Sequence, residues 1–202
     1  MILDIGCGNG LQTMLFGKKC KRVIGIDISK KAVASAEIRS AFLNRRINSE
    51  IRRVKLENAE FGTEYFDKIF SICVIEHISN YVQILKEVYR ILKREGHMIF
   101  SVDALETIED NKLVEKHRRE HHVKKYFKID ELKIILQKTG FKRISIYPLF
   151  KSDLARKIFI KGINNRFQYG FIHSILLYAF LRCQEYKCTS KKGIFLIVKC
   201  CK

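Results

Sequence analysis

Ile2-Leu3-Asp4-Ile5-Gly6-Cys7-Gly8-Asn9-Gly10, followed by a helix-compatible run and then by Val23-Ile24-Gly25-Ile26-Asp27, decides how the whole 202-residue chain is read. An apolar run of strand type enters a glycine loop, the loop enters a helix, and a second apolar run ends in an acid. That order is the opening βαβ unit of a nucleotide-binding sheet. Glycine lacks a Cβ, so the turn takes positive φ and brings backbone N–H groups close to a ligand. The spacing is G-x-G-x-G rather than the G-x-G-x-x-G that seats a dinucleotide pyrophosphate, and Asp4 stands just before it. A nucleoside with an amino-acid tail fits such a loop better than a pyrophosphate. Asp27, at the end of the second run, is placed to accept both ribose hydroxyls.

Working outward, Leu11 to Cys20 reads as the first crossover helix, with Leu11, Met14 and Leu15 on its buried side. Ser29 caps a second helix over Lys30 to Leu43, with Ala32, Val33, Ala36, Phe42 and Leu43 as its apolar stripe. Ile51 to Leu56 is an edge strand that delivers Glu57-Asn58-Ala59-Glu60 to the ligand side. Phe66 to Ile75 is continuous enough for a central parallel strand buried on both faces, and it ends in Glu76-His77 at the carboxyl edge, where open α/β sheets bind ligands. A helix over Tyr81 to Lys93, a strand over Met98 to Val102, a polar segment 103–127, a helix over Ile129 to Thr139 stopped by Gly140, and strands over Phe141 to Phe150 and Gly193 to Cys200 complete the pattern.

Asp4, Gly6, Gly8, Gly10 and Asp27 resemble motif I and the following acidic motif of the class I S-adenosylmethionine-dependent methyltransferases of the small-molecule and lipid type. The closing helix, Gly-Phe, strand and returning strand resemble that family's ending, so the resemblance covers about residues 1–150 and 193–200. It implies a three-layer Rossmann-like α/β sandwich with a seven-stranded, mostly parallel sheet and an antiparallel last hairpin. It implies S-adenosylmethionine as cofactor, with Asp4, Gly6, Gly8 and Gly10 at the methionine end, Asp27 at the ribose, Ile28, Asn58 and Ala59 at the adenine, and Cys73 contributing its backbone. The family commonly has an acid where Asn58 stands; an amide oxygen still accepts from the adenine amino group. One domain over 1–202 is expected, with 103–127 as a lid and 151–192 as an insertion between the last two strands. Met1 stands directly on the first strand, so the helical cover that usually precedes motif I is not seen in this sequence: the chain is a fragment, its start is misplaced, or another segment does that job.

Composition narrows the partners. Hydrophobic residues at 47% and aromatic residues at 11% argue for a globular chain rather than a disordered one. Seven cysteines form no C-x-x-C pair, so neither a disulfide framework nor a zinc site is expected of them. The apolar N-terminus carries Asp4 and no basic leader, which makes the cytoplasm the expected location. The net charge of +18 is lopsided: residues 1–110 hold 17 Lys/Arg against 15 Asp/Glu, and residues 111–202 hold 22 against 6. An excess of that kind suits an anionic partner, nucleic acid or lipid headgroups, or is a solvated basic face. Phe171 to Leu181, a largely apolar run of eleven residues between Arg166 and Arg182, is too short to span a bilayer. It suits a buried helix, an apolar substrate tunnel or peripheral membrane contact.

Methyl transfer from a sulfonium is an in-line displacement that needs positioning, with a base only where the nucleophile arrives protonated. His77 is the leading candidate for that base and Glu76 a second catalytic candidate; Asp103, His122 and Tyr126 are candidates for holding substrate. Cys73-Val74-Ile75-Glu76-His77 also resembles the Glu-x-x-Glu-His element that ubiquinone-pathway O-methyltransferases and small-RNA 2′-O-methyltransferases use with a divalent metal. Cys73 stands where the first Glu should be, and no metal is assigned; His117 and His121, at i and i+4, are an alternative ligand pair. The expected function is methyl transfer to a small-molecule or lipid-like acceptor. The alternatives are an RNA methyltransferase using the basic second half, and a cofactor-binding protein or fragment without turnover.

Overall fold

The structure, a computed structural model, describes residues 1–43, 47–165 and 181–202. Its centre is a seven-stranded sheet in the order β3-β2-β1-β4-β5-β7-β6. In chain order the elements are β1 (Ile2–Ile5), α1 (Leu11–Gly17), β2 (Val23–Asp27), α2 (Lys30–Leu43), β3 (Ser49–Arg53), β4 (Phe66–Ile72), α3 (Tyr81–Ile91), β5 (Leu92–Asp103), α4 (Asn111–Glu120), α5 (Ile129–Thr139), β6 (Lys142–Leu149), α6 (Asp153–Asn164) and β7 (Phe195–Cys201). Pairs among β3, β2, β1, β4 and β5 are parallel, and β7 runs antiparallel to both β5 and β6. This is the expected mostly parallel sheet with an antiparallel ending. The strand order reverses between β1 and β4, and a switch point of that kind opens a crevice at the carboxyl edge.

The strands form where β-branched and aromatic residues are buried from both sides. Leu3, Ile24, Ile69, Phe100, Leu196 and Val198 are at most 1% exposed and belong to one continuous core. Burying a side chain of that size is worth about 1.5–3 kcal/mol, which outweighs the polar residues interleaved on β4, where Asp67 and Lys68 are exposed. Helix α3 turns Ile84, Leu85, Val88 and Ile91 inward at helical spacing. Helix α5 ends at Gly140 in the left-handed region, φ 108°, where an added Cβ would meet the Tyr89 ring.

Several local expectations change. Helix α1 stops at Gly17 and buries Thr13, Met14 and Gly17, while Leu11 and Leu15 face outward. The reason is polar: Thr13 Oγ1 donates to the buried Asp4 carboxylate, which turns that face of the helix to the sheet. On α2, Val33 and Ala36 pack inward but Phe42 is exposed. Strand β3 begins at Ser49, two residues early, and β4 ends at Ile72, leaving Ile75 to a 3₁₀ turn over Ile75–His77. Strand β5 starts at Leu92 because its pairing with β4 jumps from Phe66↔Leu92 to Lys68↔His97, so the turn residues form a bulge.

The lid segment carries α4, capped by Asp110, whose Oδ1 accepts from the Lys112 and Leu113 N–H groups. Within 151–192, α6 and a helical stretch at 181–187 are described, and most of the apolar Phe171–Leu181 run lies outside the described residues. A second apolar cluster joins α6 to this region through Leu105, Ile108, Phe159, Ile163 and Ile194. Among the described residues no helix is long and apolar enough to cross a membrane.

The tightest packing constraint falls on Gly6, with φ 73° and a virtual Cβ 2.3 Å from Val74 Cγ2. Gly6→Ala should lower stability by about 1–3 kcal/mol, the usual cost of overpacking. Adding Val74→Ala should recover the steric part and leave the left-handed backbone cost of about 1 kcal/mol. Urea denaturation of the single and double variants measures both parts.

Candidate active site

The loop after β1 is held against β2 by its own backbone. The N–H groups of Gly6 and Cys7 both donate to the Ile26 carbonyl, at 2.8 and 3.0 Å, and Gly8 N–H donates to Asp27 Oδ2 at 2.9 Å. Asp27 Oδ1 accepts from Ser29 N–H at 2.8 Å. Each carboxylate oxygen of Asp27 is therefore oriented by one backbone donor and keeps a lone pair for a ligand. Above this loop lies a cleft of about 470 Å³ lined by Ile5, Gly6, Ile26, Asp27, Ile28, Val54, Leu56, Glu57, Val74, His77 and Ile78, among others. A wider groove of about 740 Å³ over α3 adjoins it through Glu57, Ser79 and Asn80.

Of the residues expected at the cofactor, Gly6, Asp27 and Ile28 line this cleft. The others stand outside its lining, each for a local reason. Asp4 is 3% exposed beneath the loop, where burial pushes its carboxyl up to about 7, against the Thr13 hydrogen bond and with help from the Asp27 charge. It holds the loop to α1 rather than facing the cleft. Gly8 has open space at its missing Cβ, and Gly10 packs on Ala36 of α2. Asn58 is exposed and Ala59 buried, because the 3₁₀ turn Leu56–Asn58 presents Leu56 and Glu57 to the cleft instead. Cys73 lies on the other side of the Ile75–His77 turn, in a separate cavity.

That second cavity, of about 190 Å³, is lined by Cys73, Glu76, His77, Asp103, His117, His121, Phe159 and Phe195. Among the described residues, His77 is the one common to both cavities. Cys73 follows β4 directly with φ 52°, and its N–H donates to the Ser101 carbonyl at 3.2 Å and hydroxyl at 3.1 Å. A left-handed non-glycine residue costs on the order of 1 kcal/mol, a strain that structures keep at functional turns. Glu76 is fully buried, and neither of its carboxylate oxygens has a hydrogen-bond partner among the described residues. Its carbonyl, by contrast, accepts from Lys124 N–H at 2.8 Å and Lys125 N–H at 3.1 Å, and the Asp103 carbonyl accepts from Phe127 N–H at 3.1 Å. The end of the lid is thereby fastened on both sides of the carboxyl pair.

Burial, and then their mutual repulsion, hold the Glu76 carboxyl above the ordinary carboxylate range; burial does the same to Asp103. Burial pushes the Cys73 thiol up to about 12 and His117 down to about 4, and it also lowers His77. His77 and His117 are therefore held toward the neutral form, and His77 is free to accept a proton. His117 Nε2 lies 3.9 Å from Asp103 Oδ2, its Nδ1 pairs with the Tyr126 hydroxyl at 3.0 Å, and its ring stacks on His121 with centroids 4.5 Å apart.

Glu76, His77 and Asp103 thus line one cavity, whereas Tyr126 is hydrogen-bonded to His117 behind it and His122 is exposed outside the cavity lining. Sequence reasoning passed over Phe159, Phe195 and Ser101. The only available signal was Ser101, a hydroxyl set in the apolar run Met98 to Val102. One atom each of Cys73, Glu76 and Asp103 lie within 4.8 Å of one another, close enough to surround a cation. A thiol among two carboxylates does not fit the hard, oxygen-ligated ion that the Glu-x-x-Glu-His resemblance implies.

Residues 3–100 match a family model described as a methyltransferase domain. The tRNA U34 carboxymethyltransferase of Wolinella succinogenes is 28% identical over 169 residues, covering 82% of this chain and 60% of the relative. A ubiquinone biosynthesis O-methyltransferase of Pseudomonas fluorescens is 29% identical over 101 residues, covering 50% of this chain and 43% of the relative. The chain thus spans less than two thirds of these curated relatives. The solved structure of Haemonchus contortus phosphoethanolamine N-methyltransferase 2, in complex with phosphomonomethylethanolamine and S-adenosylhomocysteine, shares the fold with a TM-score of 0.74 at 19% identity. It is matched by 100% of this chain over 48% of its own length.

The raised carboxyls predict a stability profile. A carboxyl whose folded pKa exceeds its unfolded one stabilises the fold most below the unfolded pKa, and that contribution is lost as pH rises through the folded pKa. Asp4, Glu76 and Asp103 all have this sign. Thermal midpoints should therefore fall from roughly pH 5 to pH 8, and Glu76→Gln should flatten the fall and raise the midpoint at pH 8 by about 2–4 °C for each kcal/mol relieved.

Proposed function

We propose, from the premise that this chain belongs through residues 3–100 to the class I S-adenosylmethionine-dependent methyltransferases, that it transfers the cofactor's methyl group to a small-molecule acceptor. The observation that carries this reading is the pair of cavities divided at His77. The glycine-loop cleft takes the cofactor: Asp27 receives the ribose hydroxyls, the wall of Ile26, Ile28, Val54 and Leu56 takes the adenine, and the loop at Gly6 takes the methionine end. A donor seated there would have His77 between it and the cavity of Cys73, Glu76 and Asp103, which would take the acceptor.

The chemistry asked of the protein is modest. The methyl moves in line from a leaving group already activated by its positive charge, so alignment and exclusion of water supply most of the rate. His77, half-buried and with its proton affinity lowered by burial, takes the acceptor's proton where one must be lost. The cavity's volume of about 190 Å³ supports a small acceptor group over a polymer or a long lipid chain inside it.

A second reading, RNA as acceptor, is favoured by the 22 Lys/Arg against 6 Asp/Glu in residues 111–202 and by the likeness to a tRNA-modifying relative. Binding of transfer RNA with affinity that falls steeply as salt rises, together with RNA-dependent turnover, would favour it. Peripheral contact with anionic lipid through 151–192 and a cytoplasmic setting remain part of the proposal.

Calorimetric titration should show S-adenosylhomocysteine binding to the wild type, weakened roughly 10–100-fold, about 1.4–2.7 kcal/mol, by Asp27→Ala. His77→Ala should leave cofactor affinity within about threefold and cut turnover roughly 10²–10⁴-fold once an acceptor is in hand. An unchanged kcat in that variant would remove His77 as the base.

A further inference from the structure

Among the described residues, the cavity beyond His77 lacks a counter-charge. Glu76 and Asp103 are 0% and 5% exposed on its wall, and both Glu76 carboxylate oxygens are unpartnered among the described residues. Among the described residues the basic groups lining it are imidazoles, those of His77, His117 and His121, with no lysine or arginine, in a chain of net charge +18. Its remaining wall is aromatic: the Phe159 and Phe195 rings meet edge to face with centroids 5.6 Å apart. Buried carboxyls with open acceptor sites cost free energy until something donates to them. Two carboxyls opposite phenyl rings form a receptor for a small organic cation, which the rings also attract through their quadrupoles.

We propose that the methyl acceptor is an amine, which enters as an ammonium, donates its N–H groups to the Glu76 and Asp103 carboxyls and rests its carbon substituent on Phe159 and Phe195. Size argues for this occupant over a metal ion. The cavity of about 190 Å³ matches roughly six water volumes at about 30 Å³ each, which is room for a nitrogen carrying a few carbons and more than an ion drawn between three ligands fills. Position argues for it as well, because both carboxyls line the cavity that His77 shares with the cofactor cleft, and neither lines that cleft itself.

The step balances. The ammonium passes one proton to the carboxyl pair or His77; its freed lone pair forms the N–C bond as the C–S bond breaks and that electron pair returns to sulfur. The product is a methylated ammonium and a neutral thioether, and the base releases one proton to water. Among the described residues, Glu76, Asp103, His77, His117, His121 and the Cys73 thiol are the titratable groups that line the cavity around the nitrogen.

This inference rests on the reading of the glycine-loop cleft as the methyl donor's site, and the test separates the two. Ethylammonium chloride, ethanol as its neutral counterpart and manganese(II) chloride are titrated calorimetrically into the free protein and into protein saturated with S-adenosylhomocysteine. Ethylammonium should bind at least about tenfold more tightly than ethanol, with and without chelator, and Glu76→Gln and Asp103→Asn should each weaken it by about tenfold. The comparison of ethylammonium with ethanol decides the matter on the wild type alone if a variant fails to fold. Equal binding of ethanol and ethylammonium, no ethylammonium binding, or manganese displacing ethylammonium would overturn the proposal. Failure of S-adenosylhomocysteine to bind would overturn the cofactor reading, while the free-protein titration still decides the ammonium site.

Discussion

The close approach of Gly6 to Val74 is the contact on which the rest of the architecture depends. At φ 73°, with Val74 Cγ2 2.3 Å from where a Cβ would stand, the first loop settles directly over the end of β4. That seat lets Gly6 and Cys7 share the Ile26 carbonyl and places Gly8 N–H on Asp27. It also sets the turn that follows Val74 as a partition, with Ile78 and Val74 facing the glycine-loop cleft and Cys73 and Glu76 facing the other cavity. One missing side chain thereby organises two binding spaces at the switch point of the sheet.

The second theme is buried acid in a basic protein. Asp4, Glu76 and Asp103 are all withdrawn from water, and each has its carboxyl held above the ordinary range chiefly by burial. Asp4 has a structural use, since Thr13 bonds to it and fixes the face of α1. Glu76 has no such partner among the described residues, and its position is enforced instead by lid backbone bonded to its carbonyl. A group so fixed and so poorly satisfied lowers stability in the empty protein, and a ligand that completes it recovers that free energy as affinity.

Much of this was legible in the chain because it is local. The strand–glycine loop–helix–strand order, the acid ending β2, the Glu76-His77 turn and the closing antiparallel pair all depend on residues close together in sequence. What escaped depends on distance. The outward face of α1 is decided by a Thr13–Asp4 bond that apolar spacing does not register, and the exposure of Asn58 follows from the direction of a single 3₁₀ turn. The aromatic wall of the second cavity comes from Phe159 and Phe195, more than fifty residues beyond Asp103, which only the packing of α6 and β7 brings together. That Cys73 lines the second cavity and not the glycine-loop cleft accompanies its left-handed backbone, again invisible in composition.

A crystal structure with S-adenosylhomocysteine bound tests the central claim most directly. The account predicts the ribose on Asp27 and the sulfur at the His77 boundary, facing the cavity of Cys73, Glu76 and Asp103. A ligand whose sulfur faces away from that cavity, or one seated outside the glycine-loop cleft, would contradict it.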